Sequence, residues 1–326
     1  MSALRLAPLR DLDRDARLFV RPEGYERLRA AAAAGRNVLV LGPRGAGKTS
    51  VLRQLQRELR QAGEGAPVVF ADLAGVAGAG AALQVLAATA AEALDAAPAW
   101  SPPVLRPGED EEQRDVRLGL RQLADLPACR FLVDNADPGA VAHPLFGVLR
   151  DRLWETPHTW VLTGVTHDRP RLLRPPADAF WEEVVELAYS AAQARELLER
   201  RLDGPADWVA PLVAEVGTVP RQLVRAAQEA ERDPEAALAE RRSWRERREA
   251  LDDRGARLLA ELDAVAPASA SDPELLERLG WARTTLQRSL EALEEQGLVA
   301  SWTEPTGKGR PRRVFAPTGP GGWGRG

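Results

Sequence analysis

The chain has 326 residues, of which 44% are hydrophobic and 28% charged, and its formal net charge is −4. This length favours two or three domains, and the composition excludes global disorder. The acidic balance argues against a protein that coats nucleic acid indiscriminately, and no apolar run reaches the roughly 18 residues of a membrane helix.

The first half of the chain alternates short apolar strands with helices. This alternation is typical of a parallel sheet with helices on both faces, whose ligands bind at the carboxyl ends of the strands. We therefore predict an α/β nucleotide-binding domain over residues 1–189. Its predicted strands are 37–41, 68–71, 130–134, 159–164 and 184–187, and its predicted helices are 23–35, 47–62, 80–97, 110–125 and one more before residue 159.

A phosphate-binding loop lies between the first predicted strand and the next helix. Residues 42–49 fit the pattern G-x-x-x-x-G-K-[ST], in which backbone amides and a helix N-terminus surround phosphate, a lysine pairs with it and a hydroxyl binds Mg²⁺. Only two of the 44 basic residues are lysines, and one of them is Lys48. We predict that ATP is bound by Gly42, Pro43, Arg44, Gly45, Ala46, Gly47, Lys48, Thr49 and Ser50, with Thr49 on Mg²⁺.

An acidic residue at the end of the third strand is the predicted second metal ligand. Asp134 follows the apolar run Phe131-Leu132-Val133, as a Walker B aspartate does. The next residue is Asn135, where many hydrolytic P-loop enzymes have a glutamate, and an amide cannot act as a general base. Two interpretations remain: Asp137 is the base, or hydrolysis is slow and bound ATP acts as a conformational signal. We favour the second.

Other polar residues follow the remaining strands. Thr163, at the end of the fourth strand, is placed either to contact the γ-phosphate or the attacking water, or to cap the backbone. Arg221 opens a later helix and is predicted to reach the γ-phosphate and couple a lid to the nucleotide. A cluster after Thr163 is either an arginine finger for a neighbouring subunit or a solvated loop, and its members are Arg169, Arg171 and Arg174.

From residue 190 the hydrophobic spacing becomes helical. Helices over 191–202, 207–216 and 220–231 predict a helical lid that spans 190–240. The charged stretch 232–256 is interpreted as one solvated linking helix. The last nine residues, 318–326, are predicted to be a disordered tail.

Residues 241–317 predict a winged helix-turn-helix. The S-x-x-E sequence of residues 271–274 predicts a capping box that opens one helix, 281–296 predicts the second, and two strands with a flexible tip follow. From Leu298 to the C-terminus there are five basic residues and one acidic residue, a local charge of +4, which favours phosphate contacts. The predicted contacts with double-stranded DNA are Arg283, Thr284, Gln287, Arg288, Lys308, Arg310, Arg312 and Arg313.

Acidic residues on the same helix leave a second interpretation open for this module. Glu291, Glu294 and Glu295 would repel DNA if they faced it, so the module either binds DNA or contacts protein, and we favour DNA. Cys129 is the only cysteine, which excludes an intrachain disulfide and fits a reducing compartment. We expect a cytoplasmic protein that has no membrane contact and forms a homo-oligomer or binds a partner protein.

Taken together, these motifs resemble AAA+ ATPases, in particular the branch of origin-recognition initiators and their bacterial relatives with C-terminal winged helices. Residues 19–23 resemble the motif that contributes to the adenine pocket, Thr163 matches sensor 1, and Pro220-Arg221 resembles sensor 2. The resemblance implies ATP and ADP binding. Asn135 departs from the usual glutamate and no initiator insertion is found, so origin recognition is not implied. The layout also resembles STAND signalling ATPases, whose winged helix acts as a clamp.

Overall fold

The computed structural model describes residues 4, 6–7, 9, 15–63, 65–95, 105–202, 204–305 and 311–319. The chain divides into two compact units, of which one is Ala7–Ser190 and the other combines Met1–Leu6 with Ala191–Gly326. Within the described ranges, no helix is both long enough and apolar enough to cross a membrane.

The first unit is built on a five-stranded parallel sheet in the order β2-β3-β4-β1-β5. This arrangement confirms the predicted α/β class. Strand β4 lies between β1 and β3, so one strand separates the phosphate-binding loop after β1 from the acidic end of β3. The strands are β1 Val38–Gly42, β2 Val68–Asp72, β3 Arg130–Asp134, β4 Thr159–Val165 and β5 Glu183–Glu186.

Helices cover both faces of this sheet because neighbouring strand residues point to opposite sides. Leu39 and Leu41 of β1 belong to the core formed with α3 and α4, whereas Val38 and Val40 belong to the core formed with α1 and α2. All four are fully buried. The helices of this unit are α1 Tyr25–Ala33, α2 Lys48–Ala62, α3 Ala79–Ala93, α4 Glu111–Ala124, α5 Arg150–Trp154 and α6 Arg169–Leu172, with short 3-10 turns at Ala16–Leu18, Thr166–Asp168 and Ala177–Phe180.

The segment between β3 and β4 differs from the single helix predicted there. It forms two π-helical turns, Pro138–Ala142 and Pro144–Val148, before α5 begins. Pro144 has no backbone N–H, so a regular α-helix cannot continue through it without losing a hydrogen bond. The wider turns are visible in the bonds from the Ala142 amide to the Asp137 carbonyl and from the Leu149 amide to the Pro144 carbonyl, each spanning five residues.

His158 is a buried structural histidine next to the sheet. Its Nδ1 accepts a hydrogen bond from the Cys129 amide at 3.1 Å, and its Nε2 lies 2.8 Å from the Leu123 carbonyl oxygen. The ring packs edge-on against Phe131, with ring centroids 5.2 Å apart. These contacts need the neutral ring, and burial lowers the pKa of His158 below its ordinary value.

We expect His158→Phe to lower the free energy of unfolding by about 1–3 kcal/mol, because the Cys129 amide loses its acceptor. The unfolded chain protonates His158 before the folded chain does, so this residue's contribution to stability falls as pH drops through the ordinary histidine value near 6.5. Denaturant titrations at pH 7.5 and 5.5 should therefore show a smaller pH effect in the variant than in the parent. The exposed His167, changed to Gln, is the control, and an equal pH effect in parent and His158→Phe would contradict the prediction.

The second unit begins with a group of helices: α7 Ala191–Leu202, α8 Val209–Val216, α9 Pro220–Ala230 and α10 Pro234–Glu249. A second group of elements follows with its own buried core: α11 Asp253–Val265, α12 Pro273–Leu279, α13 Arg283–Glu295, β6 Val299–Glu304 and β7 Arg312–Pro317. Strands β6 and β7 form an antiparallel hairpin, and Ala268 pairs with Phe315 at its outer edge.

Two sequence predictions in this unit are wrong in detail. The stretch 232–256 is two helices, α10 and α11, because Asp252 is extended and caps the new helix by accepting a hydrogen bond from the Gly255 amide at 2.7 Å. The predicted lid boundary at residue 240 accordingly falls inside α10. The cap of α12 is Asp272 and not Ser271, since the Asp272 carboxylate accepts hydrogen bonds from the Glu274 and Leu275 amides.

Candidate functional site

The loop between β1 and α2 has the backbone that a phosphate cradle requires. Gly45 and Gly47 both have φ of +82°, in the left-handed region that other residues rarely adopt. A side chain at Gly42 would place its Cβ 3.3 Å from the Ala46 Cβ, tighter than an ordinary contact. Helix α2 begins at Lys48, so the loop ends at a helix N-terminus, where amide N–H groups attract anions.

The ammonium group of Lys48 lies over this loop. Its Nζ donates hydrogen bonds to the carbonyl oxygens of Gly42 at 2.8 Å and Pro43 at 3.0 Å. A cation is therefore already held at the mouth of the cradle. Of the other predicted nucleotide residues, Arg44 is exposed, and the Ser50 hydroxyl accepts a hydrogen bond from the Leu9 amide at 3.1 Å.

A hydrogen bond joins the two predicted metal ligands, Asp134 and Thr49. Asp134 is 1% exposed, and its Oδ2 accepts a hydrogen bond from the Thr49 hydroxyl at 2.5 Å. Its Oδ1 accepts a short hydrogen bond from Thr163 on β4. A carboxylate and a hydroxyl are oxygen ligands of the kind that Mg²⁺ prefers, so the pair fits this ion. Within the described ranges, no group of three or more His, Cys, Asp or Glu residues forms an all-protein metal cage, and Mg²⁺ at phosphates does not need one.

Asn135 adopts a conformation that few residues accept. Its φ is +57°, and its side-chain amide donates a hydrogen bond to Asp72 Oδ1 at 2.9 Å, with Asp134 Oδ2 at 3.5 Å. Asp137, the candidate base named from the sequence, caps a helical turn: its Oδ1 accepts hydrogen bonds from the Gly139 and Ala140 amides at 2.9 and 2.6 Å. These bonds hold the carboxylate at the start of the turn Pro138–Ala142.

The segment before α1 packs beside the cradle. Phe19 and Val20 are buried, and the Tyr189 hydroxyl donates a hydrogen bond to the Val20 carbonyl at 3.4 Å. A Cβ at Gly47 would lie 3.8 Å from the same hydroxyl oxygen. The Tyr189 hydroxyl therefore lies close both to this segment, which resembles the adenine-pocket motif, and to the phosphate loop.

The remaining predicted arginines are exposed. Arg169 forms an ion pair with Glu186, while Arg171 and Arg174 lie on the surface in and after α6. Arg221 lies at the start of α9 in the other compact unit, with its side chain exposed. Its predicted reach to the nucleotide stays a prediction.

Helix α13 presents four of the eight predicted DNA contacts on one face. Leu286, Leu290 and Leu293 are buried, and these side chains fix the orientation of the helix. The opposite face is exposed and carries Arg283, Thr284, Gln287 and Arg288.

Ion pairs offset part of the positive charge that was counted from Leu298 onward. Arg313 pairs with Glu294 at 2.5 Å and bonds to Ser301 at 2.9 Å, and Arg312 lies 3.6 Å from Glu304. Glu294 belongs to α13, outside the stretch over which the local charge of +4 was counted. Lys308 and Arg310 lie outside the described residues.

Two residues of the first unit were missed by the sequence analysis. Asp72 ends β2 and contacts Asn135, and Tyr189 follows β5 and faces the loop. The signal for Asp72 was available, since an acidic residue ends the apolar run Val68–Ala71 as Asp134 ends its own strand. Tyr189 has no such signal, because its role depends on the chain passing near Gly47.

One protein-family model matches part of the chain. Residues 17–163 match the model of an AAA ATPase domain. No curated protein matches the chain.

Solved structures of similar fold cover nearly the whole chain at low identity. The Orc1 protein of Aeropyrum pernix, in complex with DNA, is 21% identical over 96% of this chain and 91% of its own, with a TM-score of 0.48. The RuvB Holliday junction branch migration motor of Thermotoga maritima is 17% identical over 95% of each chain, with a TM-score of 0.46. AMPPCP-bound DnaA of Aquifex aeolicus is 16% identical over 88% of this chain and 93% of its own, with a TM-score of 0.46. At these values the similarities carry no functional argument.

Proposed function

We propose that this chain, whose residues 17–163 match an AAA ATPase domain, is an ATP-dependent switch that binds DNA through its C-terminal module. The observation that carries the nucleotide part is the contact between Thr49 and Asp134 at 2.5 Å, directly behind a loop that already holds the Lys48 ammonium group. Three groups that would bind magnesium and triphosphate thus lie beyond the ends of β1 and β3: the Lys48 ammonium group, the Thr49 hydroxyl and the Asp134 carboxylate.

The chain's own residues account for binding. The amides of the loop and of the α2 N-terminus would donate to phosphate oxygens, and Lys48 would exchange its carbonyl contacts for the outer phosphates. Thr49 and Asp134 would hold Mg²⁺, whose charge offsets that of the phosphates. Thr163 keeps the carboxylate of Asp134 in place from β4.

Slow hydrolysis is the reason to call this site a switch. The residue after Asp134 is an amide, and the next carboxylate in the sequence, Asp137, caps a helix. Without a base directly after Asp134, ATP would stay bound for longer before it is hydrolysed. The bound ATP would act by changing the conformation of the protein or its self-association. A homo-oligomer is part of this proposal, with Arg169, Arg171 and Arg174 as the cluster that would reach a neighbouring subunit.

DNA binding is supported by the exposed face of α13. Two arginines and two hydrogen-bonding side chains share that face, which is the composition of a helix that enters the major groove. The C-terminal helices and the hairpin β6–β7 have the element order of a winged helix, so α13 would be its recognition helix. Binding through few phosphates would be weak and strongly salt-dependent.

We expect Arg283→Ala/Arg288→Ala to weaken duplex binding and to reduce the magnitude of the log–log salt slope by about 1.8, because each neutralised phosphate contributes about 0.9. Fluorescence anisotropy of a labelled duplex at several salt concentrations measures both quantities. The matched control is Arg200→Ala/Arg245→Ala, which removes the same charge from α7 and α10. Equal affinity and slope in the parent and the α13 variant would contradict DNA binding by this helix.

A second candidate is a signalling switch whose C-terminal module contacts protein. The observation in its favour is the ion pairing of Arg313 with Glu294, which removes part of the positive charge that DNA would need. Salt-insensitive or absent duplex binding by the parent would favour this candidate.

A further inference from the structure

We infer that Asp72 is the carboxylate that accepts the proton of the attacking water, with Asn135 as its positioning residue. The inference rests on the proposed ATP site and replaces the base that position 135 lacks. It assigns the hydrolysis that does occur to a residue on a different strand from Asp134.

Asp72 lies at the same edge of the sheet as the metal ligand. Strands β2 and β3 are parallel neighbours, and their register pairs Asp72 directly with Asp134. Neighbouring strands are about 4.8 Å apart, so the two carboxylates leave the sheet side by side. Both belong to the carboxyl edge, where ligands of such sheets bind.

The amide of Asn135 connects the two carboxylates. Its Nδ2 lies 2.9 Å from Asp72 Oδ1 and 3.5 Å from Asp134 Oδ2. The two oxygens are therefore separated by no more than the sum of these distances. Asn135 has a left-handed backbone, with φ of +57°, and its side chain extends toward Asp72 at the end of β2. An asparagine or aspartate tolerates this backbone better than most residues do.

Asp134 is engaged through both of its oxygens, each of which accepts a hydroxyl hydrogen bond. Asp137 accepts two backbone amides at Oδ1 and lies three residues beyond β3, whereas Asp72 ends β2 in register with Asp134. Asp72 is exposed, and its Oδ1 accepts from Asn135 and from the Ala74 amide at 3.1 Å. Its Oδ2 has no partner among the residues that the structure describes, so this oxygen is available to a water molecule.

The reaction balances with these groups. The water oxygen forms a bond to the γ-phosphorus, and the bond from that phosphorus to the β,γ-bridging oxygen breaks, which leaves ADP and phosphate. The water proton passes to the Asp72 carboxylate, which returns it to solvent after the products leave. Asn135 keeps its hydrogen bond to Oδ1 throughout and so fixes the direction of Oδ2.

Asp72→Asn tests the inference because it keeps the size and the polar contacts of the side chain and removes its ability to accept a proton. We expect single-turnover hydrolysis to fall at least roughly 10-fold, while calorimetry shows unchanged MgATP affinity. Asp72→Asn/Asn135→Asp exchanges acid and amide across the same hydrogen bond, and we expect it to recover most of the loss. Asp137→Asn, which keeps an oxygen to cap its helix, is the control and should hydrolyse like the parent.

A readout other than activity separates a chemical role from a structural one. After incubation with MgATP and desalting, Asp72→Asn should still carry ATP at times when the parent has converted most of its bound ATP to ADP. Unchanged turnover in Asp72→Asn with MgATP still bound would overturn the inference alone, whereas absence of MgATP binding by the parent would overturn the proposed function itself.

Discussion

Lys48→Ala is expected to weaken MgATP binding roughly 10- to 150-fold, which corresponds to losing hydrogen bonds to a charged group worth about 1.5–3 kcal/mol. The Lys48 ammonium group lies 2.8 Å from the Gly42 carbonyl and 3.0 Å from the Pro43 carbonyl. A rotation of the Lys48 side chain away from these two carbonyl oxygens would let the ammonium group bind phosphate. Isothermal calorimetry with MgATP and MgADP measures the loss, which should be larger for ATP because Lys48 pairs with the outer phosphates.

Lys48→Arg is the informative control, because this chain uses arginine at almost every other basic position. A guanidinium is planar and wider than an ammonium group, so it does not fit a cradle shaped for a compact charge. We expect it to rescue little of the affinity, although it keeps the charge. Melting curves of both variants should stay close to that of the parent. Wild-type MgATP affinity in Lys48→Ala would mean that residues 42–49 do not bind phosphate.

The sheet and the phosphate loop were predictable because their physical signals are local. Strands buried on both faces read as continuous apolar runs, and Val38–Gly42 is such a run, as is Phe131–Val133. The glycines at 45 and 47 are required by left-handed backbone, and Lys48 follows them at a fixed spacing. These features involve neighbours in sequence, so the sequence specifies them.

Contacts between distant residues were not predictable from spacing. The hydrogen bond between Asn135 and Asp72 joins residues 63 positions apart, and it exists because β2 and β3 are neighbours in the sheet. The same limit applies to the ion pair of Arg313 with Glu294, which made a charge count over the wing misleading. The left-handed backbone at Asn135 also makes aspartate a better replacement there than glutamate, because aspartate tolerates a positive φ more readily.

Short signals at helix ends gave the correct element and the wrong residue. Ser271 and Asp272 both suit a helix cap, and the structure uses Asp272 because Pro273 takes the first helical position, where its missing N–H costs nothing. Asp252 likewise starts α11 inside a stretch whose charge pattern looked continuous. The predicted cap at Ser271 was therefore wrong by one residue, whereas no helix start was predicted at Asp252.

Asp134→Asn is expected to lower single-turnover hydrolysis roughly 100-fold or more and to reduce the dependence of ATP binding on Mg²⁺. The Asp134 carboxylate is buried and holds the hydroxyls of Thr49 and Thr163. An asparagine has the same shape and can hydrogen-bond to both hydroxyls, so the fold should persist, but it contributes no negative charge to a divalent ion. Losing several kcal/mol of charge stabilisation at the metal accounts for the size of the effect.

The measurement that isolates the metal is the ratio of ATP affinity with Mg²⁺ to affinity with EDTA. In the parent this ratio should be large, and in Asp134→Asn it should approach one, because Thr49 alone offers a neutral ligand. Asp151→Asn, an exposed aspartate of α5, controls for loss of one negative charge and should keep the parental ratio. If Asp134→Asn also kept that ratio, the Mg²⁺ ion would have to be held without Asp134, and the short contact between Thr49 and Asp134 would be only a structural hydrogen bond.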